Sequence, residues 1–190
     1  MQKITKPVQL FLLVALGFAL WFPFVGDEFY VELLTNIMII AIFAMSLDLL
    51  VGYTGLVSLG HAAFFGIGAY GLAIFFGETS QYSIWFALPV SLILAALAAV
   101  VIGWISIRTS GIYFIMLTLA LAQMFYYYFF ESKRYGGDDG MFVNARPDVN
   151  FGSIQLLDLT NEHTFYYFTL GILVAVFLFL VMILRAPFGQ

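Results

Sequence analysis

The sequence contains no cysteine and very little charge. Only 9% of its 190 residues are Asp, Glu, Lys or Arg, against roughly 25% in a soluble domain. The absence of cysteine excludes a disulfide framework and a thiolate metal site. The few basic residues form no patch that could hold phosphates, so no nucleic-acid partner is expected. What remains is apolar: 63% of the residues are hydrophobic, more than a water-soluble chain of this length can bury.

Long apolar runs dominate the chain and predict membrane helices. A helix needs about 20 apolar residues to cross a bilayer, and six charge-poor segments reach about that length: 8–26, 33–51, 54–76, 83–107, 111–130 and 165–184. A β-barrel would instead show alternating strands of about ten residues. The sequence therefore predicts an all-α, polytopic membrane helix bundle of about six spanning or re-entrant helices, forming a single domain over 1–190.

The distribution of charge predicts the orientation in the membrane. With the N-terminus inside, the short inner ends carry the basic residues Lys3, Lys6, Arg108 and Arg185. The outer ends carry acids instead, as the positive-inside rule requires. Both termini are therefore expected on the cytoplasmic side of the membrane. The loop over 131–164 is expected outside, where it serves either as a docking site for a protein partner or as a passive linker.

The third segment combines small residues with two hydroxyls and a histidine. Small residues recur at spacings of three and four, which predicts one smooth helical face for close helix packing. The positions with this expected packing role are Gly55, Ala62, Gly66, Ala69 and Ala73, and Ser58 falls on the same face. Gly52 and Gly55 leave the backbone free to turn. A tight inner turn and a broken re-entrant start are both compatible with this pattern.

Several polar residues lie in otherwise apolar segments, where such residues usually face a cavity or a polar partner. The candidates for a polar pathway, or for hydrogen bonds between helices, are Asn36, Ser46, Asp48, Ser58, His61, Thr118 and Gln123. Ser58 and His61 are expected three residues apart on one helix. No nucleophile, phosphate-loop or metalloprotease motif accompanies them. The sequence therefore predicts neither catalysis nor a bound metal or cofactor.

Four stretches of the sequence form a recognisable set of motifs. The segment Gly52–Tyr70 closely resembles the signature of one known family, the branched-chain amino-acid ABC transporter permeases. Three further stretches are similar to its motifs and follow in the same order: Ser110–Phe114, Gly136–Gly140 and Arg185–Gly189. Because family members normally continue beyond the last of these motifs, the sequence is expected to be the N-terminal part of a permease.

The resemblance implies a function and a set of partners. Family members form the translocation pathway of importers for branched-chain or related amino acids and work by alternating access. The expected partners are a second permease subunit, cytoplasmic ATP-binding subunits, an extracytoplasmic substrate-binding protein and the lipid bilayer. ATP hydrolysis is expected on the partner subunits, so the chain itself is not expected to be an enzyme. Two alternatives stay open: an ATP-independent secondary transporter or channel, and a structural membrane subunit that does not transport.

Overall fold

The protein is helical throughout most of its length. The computed structural model describes residues 6–76, 83–141, 149–151, 154–157, 159 and 161–185. Within these ranges the α-helices are α1 (Lys6–Trp21), α2 (Glu28–Thr54), α3 (His61–Phe76), α4 (Ile84–Ser106), α5 (Ile112–Glu131) and α6 (Glu162–Arg185). Two strands, β1 (Val149–Phe151) and β2 (Ile154–Leu157), pair antiparallel. The predicted all-α membrane fold is confirmed.

Four of these helices are long and apolar enough to cross a membrane. The qualifying stretches are Glu28–Gly52, Ile84–Ser106, Ile112–Glu131 and Glu162–Leu184. The described part of α1 and the whole of α3 have 16 residues each, which corresponds to about 24 Å at 1.5 Å per residue. That is less than the roughly 30 Å of a bilayer core. Helix α3 begins only at His61, so the predicted segment 54–76 starts with a non-helical stretch, in keeping with one of the two starts that the sequence pattern allowed.

The described residues fall into two compact units, and the first comprises 1–42 with 160–190. Its buried core consists of Val31, Met38, Tyr166 and Leu170. The Tyr166 hydroxyl donates a hydrogen bond to the Ala19 carbonyl at 2.9 Å. Tyr166 is only 1% exposed. Its ring packs inside the protein, and its hydroxyl ties α6 to the end of α1.

The second unit comprises residues 43–159 and contains the end of α2 together with α3, α4 and α5. Helix α3 packs against both α4 and α5. Against α4, a Cβ added at Gly71 would overlap the side chain of Leu94. In the same unit, β2 pairs with β1 through Phe151 and Ile154.

Candidate functional site

A non-helical segment, residues 55–60, separates α2 from α3. Gly55 takes a left-handed φ of 66°, which a residue with a Cβ adopts only at a cost. The end of α2 is closed locally, since the Thr54 hydroxyl donates to the Leu50 carbonyl at 2.6 Å. The same oxygen accepts a hydrogen bond from the Leu56 amide at 3.3 Å. We call residues 55–60 the break.

The break overturns one prediction about the small-residue face. Gly55 and Ser58 lie outside the helix, so they do not continue the face of Ala62 and Gly66. Ser58 and His61 are likewise not three residues apart on one helix. The sequence pattern favoured a helix because Leu56-Val57-Ser58-Leu59 is largely apolar and the small residues on either side recur at spacings of three and four. The left-handed Gly55 ends that helix instead.

The break folds back along α2. The Ser46 Oγ and the His61 Nε2 lie 2.7 Å apart, although fifteen residues separate them in the chain. Ser46 precedes the last residue of α2 by eight positions, which is about 12 Å along a helix. The chain leaves α2 at Thr54 and must return by about that distance to bring His61 beside Ser46. The start of α3 is therefore level with the interior of α2 and not with its end.

The hydrogen bonds of Ser46 define the state of the His61 ring. The Ser46 hydroxyl donates to the Phe43 carbonyl at 2.7 Å, and a hydroxyl has only one hydrogen to donate. The His61 Nε2 therefore carries a hydrogen and donates it to the Ser46 Oγ. The other nitrogen, Nδ1, is buried and has no hydrogen-bond partner among the described residues. The rings of Phe43 and Phe64 flank the imidazole, with centroids at 5.1 and 5.8 Å.

Helix α5 supports the break from another side. A Cβ built on Gly60 would lie 2.7 Å from the Thr118 carbonyl oxygen and 3.1 Å from the Thr118 Cβ. Only glycine permits this approach of two backbones. Thr118 itself is 2% exposed, and its hydroxyl donates to the Ile115 carbonyl at 3.0 Å. Residue 60 therefore fixes the break against α5, while residue 61 fixes it against α2.

The structure brings together some of the predicted pathway residues. Ser46 contacts His61, Ser58 is 7% exposed within the break, and Thr118 lies against Gly60. Asp48 is exposed on α2 and makes no ion pair with any residue that the structure describes. In the described part of the chain, no group of three His, Asp or Glu side chains is placed to hold a metal ion.

Two predicted pathway residues lie elsewhere. Asn36 is exposed on the part of α2 that belongs to the first unit. Gln123 is exposed on α5 and lines a cavity between α3 and α5. Neither side chain is part of the contacts around the break.

Two glycines that the sequence pattern did not select lie very close to a neighbouring helix. They are Gly60 against Thr118 and Gly71 against Leu94. At Gly55 and Gly66, an added Cβ would meet no heavy atom of another described element within 4 Å. Ala73 is buried, whereas Ala62 and Ala69 are exposed. Packing of Gly55, Ala62, Gly66 and Ala69 against a further helix stays a prediction.

The cavity between α3 and α5 has a volume of about 460 Å³. Its walls are mostly apolar and include Ala62 and Gly66 on α3 and Leu119 on α5. The turn Gly137–Gly140 also belongs to the lining, with its two acidic residues Asp138 and Asp139. No sequence pattern predicted this cavity, because its existence depends on how α3 and α5 are aligned.

Comparison with known proteins places these features in a family. The profile described as "Branched-chain amino acid transport system / permease component" matches residues 29–190. The chain belongs to this permease family. The resemblance seen in the four sequence motifs is thereby confirmed.

Two curated relatives agree with this assignment. The permease is 27% identical to the high-affinity branched-chain amino acid transport system permease protein LivM of Escherichia coli (strain K12). It is 26% identical to the LivM protein of Salmonella typhimurium (strain LT2). Each alignment covers 98% of this chain and 48% of the relative, so the chain spans about half the length of these proteins. No solved structure is significantly similar to it.

Proposed function

We propose that this permease forms part of the substrate pathway of an ABC importer for branched-chain or related amino acids. In this proposal the pathway opens alternately to the two sides of the membrane. Cytoplasmic ATP-binding subunits supply the energy, and the chain holds no cofactor of its own. Membership of the permease family supports the transport role.

The break between α2 and α3 is the observation that carries the proposal. Non-helical backbone is tolerated at membrane depth only where it is buried in protein or lines an aqueous cavity. Transporters often use interrupted helices for their substrate sites, because the interruption frees backbone groups to bind the substrate. Here the break returns by about 12 Å along α2 and lies between Ser46 and Thr118. Such a segment is suited to line a pathway.

The other expected partners fit this arrangement. A second permease subunit would complete the pathway, and an extracytoplasmic binding protein would deliver substrate to the loop over 131–164. Both chain ends would then lie on the cytoplasmic side of the inner membrane, where the ATP-binding subunits are. Arg108 follows α4 at its expected cytoplasmic end, and its guanidinium carbon lies 5.5 Å from the centroid of the Trp104 ring. Such a pair would anchor the helix at the membrane interface.

ATP-dependent uptake tests the proposal. The intact transporter, with its permease, ATP-binding and substrate-binding subunits, is reconstituted in proteoliposomes and given radiolabelled L-leucine. We expect uptake that requires ATP hydrolysis, is lost with a non-hydrolysable analogue and is lost without the binding protein. Uptake that persists without ATP but collapses with a protonophore would indicate a secondary transporter. Uptake that is unchanged after removal of this chain would indicate a structural subunit.

A further inference from the structure

We propose that the cavity between α3 and α5 binds a free amino acid with an aliphatic side chain. The carboxylates of Asp138 and Asp139 hold its ammonium group, and the apolar walls hold its side chain. This inference rests on the proposed function and adds to it a location and a mode of recognition. The sequence candidates for the pathway contain only one of the residues involved, Gln123.

The size of the cavity suits a small organic molecule. Its volume of about 460 Å³ falls within the roughly 300–1,000 Å³ typical of ligand pockets. Small residues on α3 create the room, since Ala62, Ala63 and Gly66 all line it. A Cβ added at Gly66 would meet no described heavy atom of another element within 4 Å. On the opposite wall, Leu119 and Ala122 provide further apolar surface for an aliphatic group.

Aromatic rings line the same cavity. Tyr70 of α3 stacks on Phe129 of α5 with ring centroids 4.1 Å apart. Tyr126 stacks on Phe130 at 5.4 Å, and all four residues belong to the lining. The faces of aromatic rings attract cations. A Cβ built on Gly137 would lie 3.7 Å from the Phe130 carbonyl oxygen, so aromatic and acidic lining residues meet at one end of the cavity.

The turn that carries the two carboxylates is held in a defined shape. Gly136, Gly137 and Gly140 all have left-handed φ values, of 84°, 60° and 74°. A Cβ at Gly136 would overlap the carbonyl of Gly140, and the Gly137 amide donates to the Ser132 carbonyl at 3.2 Å. The backbone therefore closes on itself beneath the carboxylates. These glycines are required by the turn, which places Asp138 and Asp139 on the lining.

The charges of the lining select the ligand class. Asp138 and Asp139 are exposed, and neither makes an ion pair with a residue that the structure describes. Among the described residues that line the cavity there is no Lys, Arg or His, so the charges of the described lining disfavour an anion. A cationic group attached to an apolar body matches both parts of the cavity. An amino acid with an aliphatic side chain has both a cationic ammonium group and an apolar body. Gln123 is also a lining residue, and its side-chain NH₂ would donate a hydrogen bond to the ligand's carboxylate.

Equilibrium binding to the intact permease complex tests this inference. The complex is placed in lipid nanodiscs without the extracytoplasmic binding protein, and radiolabelled L-leucine is displaced by two analogues. Leucinamide keeps the ammonium group, whereas 4-methylpentanoate lacks it. We expect leucinamide to compete about as well as leucine. We expect 4-methylpentanoate to compete at least about tenfold less well, which corresponds to about 1.4 kcal/mol.

Substitutions locate the site. The double variant Asp138→Asn and Asp139→Asn keeps the size of both side chains and removes the charges, so leucine affinity should fall at least about tenfold. Gly66→Leu fills the cavity and should abolish binding. Ala96→Leu adds a similar volume at an exposed position of α4 that does not line the cavity, and it should bind like the wild type. If Gly66→Leu does not assemble, the asparagine variant decides the question.

Equal competition by 4-methylpentanoate and leucine overturns the inference. Unchanged affinity in the asparagine variant overturns it as well. In either case ATP-dependent uptake by the wild-type transporter leaves the proposed function standing. Loss of that uptake, with ammonium-dependent binding intact, would instead refute the proposed function and leave the site.

Discussion

Gly60→Ala is the substitution whose effect the structure specifies most closely. The new methyl group would lie 2.7 Å from the Thr118 carbonyl oxygen and 3.2 Å from its carbonyl carbon. These are backbone atoms of α5, so the clash is relieved only if the break or the helix moves. Gly60 is not among the glycines with a left-handed φ. The expected cost therefore comes from space and not from backbone strain.

The size of the effect can be worked out against a matched control. Overpacking of a closely packed site costs about 1–3 kcal/mol. Replacing glycine by alanine also stabilises by about 0.4–1 kcal/mol, because it restricts the unfolded chain. Gly66→Ala should gain the stabilisation without the cost of overpacking, since nothing described lies within 4 Å of the added Cβ. The two variants should therefore differ in free energy of unfolding by about 1–3 kcal/mol.

Reversible unfolding in mixed micelles, followed by far-ultraviolet circular dichroism, measures this difference. Gly60→Ala should unfold at a lower denaturant fraction than the wild type, or close to it, and Gly66→Ala at a higher one. Equal unfolding midpoints for the two variants would show that α5 does not support the break at Gly60. The account of how the break is held would then be wrong.

Three other substitutions test separate contacts. Ser46→Ala removes the hydrogen-bond partner of the His61 Nε2. It should lower the free energy of unfolding by about 1–3 kcal/mol in the same assay. A change near zero would refute the contact. Tyr166→Phe removes the hydrogen bond to the Ala19 carbonyl and should lower the free energy of unfolding by about 1 kcal/mol. Tyr167→Phe removes an exposed bond of 3.2 Å to the Leu20 carbonyl and should cost less. A larger cost for Tyr167→Phe would contradict the packing of Tyr166. Gly111→Ala forces a φ of 58° on a residue with a Cβ and should cost about 1–2 kcal/mol, while an unchanged midpoint would place the start of α5 elsewhere.

Hydropathy predicted the long helices well because it depends only on the residues of each segment and not on the contacts between segments. In lipid every backbone polar group must be satisfied within its own helix, so an apolar run such as 84–106 becomes helical whatever its neighbours are. The observed α4, Ile84–Ser106, lies within one residue of the predicted segment at each end. Of the two glycines expected to let the backbone turn, Gly55 takes a left-handed φ at the end of α2.

The break and the cavity were not predictable in the same way. The residues of the break are mostly apolar and fit a helical period, so only the glycines distinguish them from α3. Their position depends on contacts with Ser46 and Thr118, which are distant in the sequence. The cavity depends on the alignment of α3 with α5 and on the turn that follows α5. Sequence periodicity identifies the faces of helices but not their partners.

The most direct test of the central claim measures whether the break lies on the substrate pathway. The chain contains no cysteine, so Ser58→Cys provides a single thiol in the break, and Leu92→Cys provides a control on the exposed apolar surface of α4. In vesicles with the complete transporter, a membrane-impermeant thiol reagent is applied from each side with and without ATP, and the modified residue is identified by mass spectrometry. We predict that the side from which Ser58→Cys reacts changes with ATP, while Leu92→Cys stays unreactive. If Ser58→Cys reacts at the same rate under all conditions, or never reacts, the break is not part of an alternating pathway.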